Sequence, residues 1–464
     1  MSRVMFAWPP LDEKKGYATA TQSRQFQWFK DPTFIYPILP AWCATLLSTK
    51  GHEIHWLDSI ANEINEIEFT RSIIQVMPEY IVFESSTPLI KKYWEVINEI
   101  KQCLPEIKII LVGEHISAFP EESKERCKAD IIISGSDWFL KVFAMINGSI
   151  WNNKDPVPFI NRNLTHWWLY AYKNGNFKYL PGTYIMSAID CWYNKCTFCS
   201  WGSIYKNYLL RPVQDVMSEI ESLIITGFKE IFDDSGTFPT GQWLKDFCKE
   251  IYKNGYDTYC SFGCNMRFGV LETEDYTLLK RAGFRMILWG FESANQNTLD
   301  KLKKGYNVKD VMQNLILAKA AGLENHLTVM FGYYWETYED AKKTYDMVRW
   351  LLLNGWVASV QATICIPYPI TPLWKECKEK GLLLSEDWND YDMTKPIMKI
   401  PYSTEKLFKL QKGIYNTAFH PKFVIKKLIS IKNLDDLKYY LRIGRKVYDR
   451  FGQFRSIAKK SDEL

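Results

Sequence analysis

Two runs of alternating strand-like and helix-like segments, separated by one aperiodic stretch, constrain this 464-residue chain more than any other feature. In the first run, short apolar segments (RVMFAW, EIHWLD, EYIVFESS, KIILVGEH, DIIISGS) alternate with helical patterns such as YPILPAWCATLLSTKG and LIKKYWEVINEIKQCLP. Strands that are apolar almost throughout must be covered on both faces, and helices between them imply parallel pairing. Residues 1–148 are therefore expected to form a doubly wound, Rossmann-like parallel sheet, a fold that binds ligands beyond the carboxyl ends of its strands. Residues 149–182 carry Asn, Pro and Gly without periodicity and read as a linker. Alternation resumes over residues 183–400, with strand candidates YIMSAID, KEIFDDS, DTYCSFGCNMR, RMILWGFES, ENHLTVMFGYY and ASVQATICIPYP. Six β/α units are too few for a closed eight-unit barrel, so a partial (β/α) barrel is expected, with active groups at its strand C-termini. Residues 401–464 are helical in pattern, giving an α/β chain with a helical C-terminal extension.

Composition narrows the function classes. Eighteen Trp, 27 Tyr and 26 Phe exclude a disordered chain. The net charge of +5 is uneven, because residues 403–464 hold 15 Lys or Arg against 6 Asp or Glu. The body is slightly acidic, so nucleic-acid binding by the whole chain is not implied. The basic tail reads as a packing helix with a solvated face. Its sharper alternative is contact with a membrane surface or an anionic, lipid-like substrate. Eight of the eleven cysteines stand alone in sequence, which is no disulfide framework. With no signal-peptide core at the N-terminus and no apolar run of about 18 residues, a reducing cytoplasm is the expected location.

The other three cysteines form a run, Cys191-x4-Cys196-x2-Cys199, directly after the strand YIMSAID. Three thiolates could bind zinc, but a structural zinc site takes four ligands and no fourth Cys or His lies nearby. Three soft ligands suit a 4Fe–4S cluster with one iron left open. Chance clustering of structural cysteines is the third reading.

The run resembles the cluster motif of radical S-adenosylmethionine (SAM) enzymes, most often CxxxCxxC. One extra residue separates the first two cysteines here, as in aromatic-rich spellings among members with an N-terminal cobalamin-binding domain. Further landmarks follow in order: Asp233-Asp234-Ser235-Gly236-Thr237-Phe238, Asn265-Met266-Arg267 and Gly290-Phe291-Glu292-Ser293 with the turn Lys303-Lys304-Gly305. Gly332-Tyr333-Tyr334-Trp335-Glu336-Thr337 and Ile366-Pro367-Tyr368-Pro369-Ile370-Thr371-Pro372 complete the series. The resemblance implies a 4Fe–4S cluster held by Cys191, Cys196 and Cys199, which cleaves SAM to a 5′-deoxyadenosyl radical. It also implies a SAM site built from Phe198, Asp233, Asp234, Thr237, Arg267, Glu292 and Ser293. There Phe198 would pack on adenine and Arg267 would offer its fork to the SAM carboxylate. Glu292 and Asp234 would meet the amine or the ribose hydroxyls. Taken singly, each polar residue has an alternative as a strand-end cap or surface ion pair.

Residues 1–148 resemble the cobalamin-binding domain of the same group. Pro9-Pro10, Ser85-Ser86-Thr87 and Gly113-Glu114-His115 end its strands, and Ser85, Ser86, Thr87, Gly113 and His115 are the expected cobalamin contacts. No DxHxxG run supplies an axial histidine. Glu114 replaces the second of a usual Gly pair, and Ser134-Gly135-Ser136-Asp137 stands where relatives show GEGE. An empty scaffold domain is the alternative. Tyr415, Phe419, His420 and Pro421, with the helices after them, are similar to enzymes of the anaerobic porphyrin-ester cyclase and hopanoid-tailoring group. The expected function is therefore methylation or other modification of an unactivated carbon. The substrate would be a small, apolar or amphiphilic molecule, lipid-like, isoprenoid or tetrapyrrole, with flavodoxin or ferredoxin as electron donor. A cyclase with a vestigial N-terminal domain and a non-catalytic cobalamin or redox sensor are the alternatives. A methylthiotransferase would need a second cluster, for which Cys43, Cys103 and Cys127 are too scattered.

Overall fold

The computed structural model describes residues 1–11, 15–18, 26–151, 159–204 and 208–446. Part of the expected linker (152–158) and the end of the basic tail (447–464) lie outside these. Five strands build the N-terminal sheet: β1 (Arg3–Trp8), β2 (Glu53–Asp58), β3 (Tyr80–Ser85), β4 (Lys108–Gly113) and β5 (Ile131–Ile132). Their order is β2-β1-β3-β4-β5 and every pairing is parallel. This is the doubly wound sheet expected from the apolar strands. Helices α1 (Ile38–Thr49) and α2 (Trp138–Asn147) pack on one face, and α3 (Ile90–Cys103) on the other.

The second sheet has six strands: β6 (Gly182–Ile185), β7 (Glu230–Asp233), β8 (Ser261–Met266), β9 (Phe284–Glu292), β10 (Glu324–Phe331) and β11 (Ser359–Ile364). They pair in parallel in the order β11-β10-β9-β8-β7-β6, a half barrel with two edges. Helices between the strands cover the outer face, and their apolar stripes form the largest core. Helix starts are chemically marked, as at Thr337, whose hydroxyl accepts the Asp340 N–H in a capping box.

The structure departs from the expected first barrel strand. YIMSAID is not continuous: after β6 the chain breaks, and Ala188–Ile189 pairs antiparallel with Leu209–Leu210. The Ser187 N–H donates to the Asp233 carboxylate (3.0 Å) and the Ala188 N–H to the Ser235 hydroxyl (2.9 Å). Those donors are withdrawn from the parallel ladder, which turns the following segment out of the sheet.

The described part of the aperiodic stretch is packed. Arg162 is buried and donates to Thr183 Oγ1, the Tyr184 carbonyl and Glu219, which Arg211 also meets at 2.6 Å. After the barrel, α4 (Thr404–Asn416) lies beside β11, where Gln411 and Tyr415 donate to the Ala362 carbonyl. Helix α5 (Pro421–Ile429) and a helix over 434–446 follow. No described helix is long and apolar enough to cross a membrane.

Candidate active site

The cysteine run leaves the sheet at the carboxyl end of the half barrel and is clamped by segments that follow other strands. Thr197 donates through its N–H to the Leu302 carbonyl (3.1 Å) and through its hydroxyl to the Lys301 carbonyl (3.0 Å). Tyr193 OH donates to the Lys303 carbonyl (2.6 Å), and Trp192 Nε1 to the Phe238 carbonyl (3.2 Å). Cys191 Sγ lies 3.3 Å from Thr237 Oγ1. Gly236 passes so close that a Cβ there would stand 2.5 Å from Cys191 Cβ, so only glycine admits the loop.

Cys191, Cys196 and Cys199 are half-buried and line one cavity of about 780 Å³. Three thiolates on a tetrahedral zinc ion would stand about 3.8 Å apart. Among the described residues, only Glu272, Glu274 and Asp275 bring three such ligand atoms within 4.8 Å of one another. The three sulfurs are thus spread more widely than a single zinc ion gathers them. The other eight cysteines do not line the cavity, and seven of them are buried. Burial pushes the Cys264 and Cys365 thiols well up, which leaves them inert.

Around the thiols, the strand ends supply charge. Glu292 closes β9 in a left-handed conformation (φ 63°), and its Oε1 meets Lys304 Nζ at 3.0 Å. Both groups are buried, and Glu292 Oε2 has no hydrogen-bond partner among the described residues. Burial pulls the Lys304 amine down, but Glu292 outweighs it and holds the amine up and charged. A Cβ on Gly290 would stand 2.8 Å from Lys304 Nζ, so the pair occupies the space a side chain would need. Lys304 Nζ also lies 5.8 Å from the centre of the Phe198 ring. The Arg267 guanidinium stacks 3.4 Å above the Tyr193 ring and donates to the Lys304 carbonyl. Asn265 Nδ2 donates to Asp234 Oδ1 (3.1 Å).

Of the seven expected SAM residues, Phe198, Asp234, Thr237, Arg267 and Glu292 line the same cavity as the thiols. Asp233 and Ser293 do not. Asp233 is spent on the backbone N–H groups of Ser187 and Ser235. The fully buried Ser293 hydroxyl donates to Glu336 Oε1 (2.9 Å), behind β9. Both are strand-end caps that shape the site from outside it. Lys304 was visible in sequence only as a turn residue, because its partner lies twelve positions away. His326, inside an apolar strand, was not singled out. It faces the cavity, with Nδ1 2.8 Å from Ser359 Oγ.

In the N-terminal domain, Ser85, Ser86, Thr87, Gly113 and His115 gather at the carboxyl edge of the sheet, away from that cavity. Gly113 (φ 120°) presses on the Ser85 backbone too closely for any Cβ. The hydroxyls of Ser59, Ser85, Ser86 and Tyr93 are buried at or near this edge without hydrogen-bond partners among the described residues. His115 is fully buried against Trp94, Phe119 and Trp388, with Nε2 3.5 Å from Glu122. Burial lowers its pKa against the pull of Glu122. The turn at Thr87–Leu89 packs beneath Trp388–Asp390.

Residues 190–348 match the model of the Radical SAM superfamily. Among curated proteins, the chain is 23% identical over 425 residues to an uncharacterised methyltransferase of Pyrococcus horikoshii, covering 84% of this chain and 90% of that protein. It is 24% identical over 399 residues to the anaerobic magnesium-protoporphyrin IX monomethyl ester cyclase of Rubrivivax gelatinosus, covering 78% and 70%. Among solved structures, it superposes on the radical SAM methyltransferase TsrM of Kitasatospora setae, determined with cobalamin and a 4Fe–4S cluster bound. That match has a TM-score of 0.63 and 15% identity, over 82% of this chain and 78% of that one. The cobalamin-dependent radical SAM enzyme OxsB, with aqua-cobalamin and SAM bound, matches with a TM-score of 0.68 and 13% identity, over 97% and 71%. The fold of this chain is therefore shared with known proteins.

Proposed function

We propose that this chain, a radical SAM enzyme, modifies an unactivated carbon of an apolar or amphiphilic small molecule bound in the lumen of its half barrel. One observation carries the reading. The three thiols, Arg267, the Glu292–Lys304 pair and Phe198 share the wall of a cavity that continues inward over apolar side chains of the strands. The donor set fits a 4Fe–4S cluster: three thiols spread beyond zinc geometry, beside a buried carboxylate oxygen with no partner. Cys191, Cys196 and Cys199 would hold the cluster. When bound, the cluster supplies the electron that splits the SAM sulfonium and so yields a 5′-deoxyadenosyl radical.

The chain's own residues do the positioning. Glu292 Oε2 is an unpaired acceptor suited to an ammonium group. Arg267, pinned by Tyr193 and the Lys304 carbonyl, presents a fixed cation suited to a carboxylate. Asp234, held by Asn265, offers oxygen to hydroxyls, and Phe198 offers an apolar face. The apolar lumen beyond keeps water from a carbon-centred radical.

Cobalamin fits at the N-terminal domain's carboxyl edge, where the buried hydroxyls of Ser59, Ser85, Ser86 and Tyr93 wait for partners. When bound there, it would supply a methyl group for transfer. A second reading, in which this domain is a scaffold without cofactor, is favoured by the aromatic cover of Trp388 over His115. In both readings a flavodoxin or ferredoxin is the electron donor and the cytoplasm the location. Anaerobic reconstitution with iron, sulfide and cobalamin separates them. The first predicts stoichiometric cobalamin retention, and product with S-adenosylhomocysteine from a lipid or tetrapyrrole pool. The second predicts 5′-deoxyadenosine without retained cobalamin. Replacing Cys191, Cys196 and Cys199 together by Ala should remove the cluster absorbance and 5′-deoxyadenosine formation. Retained SAM cleavage in that variant would overturn both.

A further inference from the structure

The half barrel is open between its edge strands β6 and β11, and the C-terminal helices lie across that opening. Helix α5 docks on the end of the Tyr338–Asn354 helix that precedes β11, where Lys422 and Lys426 donate to Asn354. The 434–446 helix then crosses to the β6 side. There Arg442 donates to the Phe177 carbonyl, and Lys446 meets the Pro32 carbonyl (2.8 Å), Thr33 Oγ1 (3.1 Å) and Asp31 (2.5 Å). The cavity that begins at the cysteines does not end in the barrel. It runs past Phe232, Met286, Leu288 and Val360 and reaches Phe423, Leu437 and Tyr440 under these helices. A lumen that would be filled by side chains in a closed barrel is here a cavity lined from the cysteines to these helices.

The outer surface of the same helices is apolar and basic. Ile425, Ile429 and Leu434 are 54, 77 and 62% exposed and lie outside the cavity, beside Leu428 and Leu441, which are 60 and 67% exposed and also line it. Such neighbours on two adjacent helices make a patch rather than scattered surface residues. Residues 422–446 hold eight Lys or Arg and two Asp, and Asp436 is already paired with Lys178. Lys432, Lys438 and Arg445 have no acidic partner among the described residues. Lys427 lines the passage half-buried, 5.4 Å from the Phe423 ring and 5.2 Å from the Tyr440 ring, and the Glu324 carboxylate that faces it is already bound by Arg285.

We infer that residues 421–446 dock this enzyme on an anionic lipid bilayer, and that the passage beneath them admits a long-chain amphiphile from that surface toward the cysteines. The inference rests on the reading that the lumen holds the substrate. An exposed apolar face ringed by unpaired cations complements an anionic bilayer. A surface-lying amphipathic helix gains from both apolar burial and the attraction of its lysines. Lys427 at the inner end of the patch fits the anionic head of a molecule whose chain fills the lumen.

Two measurements on the reconstituted full chain test this, each beside uncoupled SAM cleavage as a control. The first is co-sedimentation with phosphatidylglycerol–phosphatidylcholine vesicles and with pure phosphatidylcholine vesicles at low salt. Binding to the anionic vesicles is expected, weakened about tenfold or more on neutral vesicles or in the Ile425→Glu/Ile429→Glu/Leu434→Glu variant. These residues are outside the cavity, so 5′-deoxyadenosine formation should be unchanged. The second is fluorescence of a long-chain polyene fatty acid. Its binding should saturate at one equivalent and be lost in Val360→Trp, which fills the passage without touching the patch. Absence of anionic-vesicle binding, or equal fatty-acid binding by wild type and Val360→Trp, would overturn the inference while intact SAM cleavage left the proposed chemistry standing. Absence of SAM cleavage in wild type would instead strike the proposed chemistry.

Discussion

At Glu292 a single residue combines three constraints: a strained backbone, a buried charge and an unpaired acceptor oxygen. Such strain persists only where the surroundings enforce it, and here Lys304 does so. Replacing one member of a buried pair leaves the other uncompensated, at about 3–5 kcal/mol. Glu292→Gln should therefore lower both thermal stability and SAM affinity. Glu292→Gln/Lys304→Met should recover much of the stability but not the affinity, as melting curves and equilibrium dialysis with SAM would show. His326 gives a pH prediction. Burial, then Arg285, pushes it down to about 4 from 6.5. Between those values the unfolded chain binds the proton that the folded one refuses, so stability falls as pH drops through 6.5 toward 4 and is unaffected above. The shift corresponds to on the order of 3 kcal/mol. His326→Gln should flatten that part of a pH series of thermal melts. An unchanged slope would show that His326 is protonated in place.

Arg285 is the fastener of the half barrel at the level of its strands. From β9 it reaches Glu230 at the start of β7 (3.1 Å through Nε), Glu324 at the start of β10 (2.8 Å) and the Asn176 carbonyl (2.8 Å). Glu230 in turn accepts the Lys178 and Tyr179 N–H groups. Arg285→Met should leave Glu230 without its cation and destabilise the chain by about 3–5 kcal/mol, read as a lower urea midpoint with an unchanged slope. The strands themselves were legible in sequence, because parallel strands covered on both faces read as apolar runs between helical periods. The interruption of the first barrel strand was not, since it depends on Asp233 and Ser235, nearly fifty positions downstream. In the site, the cysteines, Phe198, Asp234, Thr237, Arg267 and Glu292 were legible through their ordered positions after strands. Asp233 and Ser293 share those positions but face the other way. A period of two along a strand does not tell which side of a strand end will meet the ligand. The C-terminal helices as walls of the cavity were illegible for a related reason: amphipathy shows a face to bury but not the surface it meets.

The two halves of the molecule, separate in the sequence pattern, are joined by one continuous core. Val4, Phe6 and Trp42 of the N-terminal domain belong to the same apolar cluster as Tyr184, Met186, Trp201, Phe232 and Met286 of the barrel. Polar ties cross the same boundary: Trp388 Nε1 to Glu122 (2.9 Å), Trp28 Nε1 to Asp392 (3.1 Å) and the Phe26 N–H to Tyr368 OH (3.3 Å). Domains linked by a small wetted interface unfold independently, whereas those sharing buried apolar surface unfold together. The chain should therefore melt in one calorimetric transition although its length would accommodate several domains. Expressed alone, residues 1–148 should be molten or aggregate, because the barrel's Tyr184, Met186 and Trp201 complete their core. Two resolved transitions, or a 1–148 fragment with a cooperative melt, would show that the shared cluster contributes little. A single transition has a functional corollary: a residue change at the domain boundary, such as Trp388→Ala, should lower the melting temperature of both halves equally, which tryptophan fluorescence and cluster absorbance can follow in one experiment.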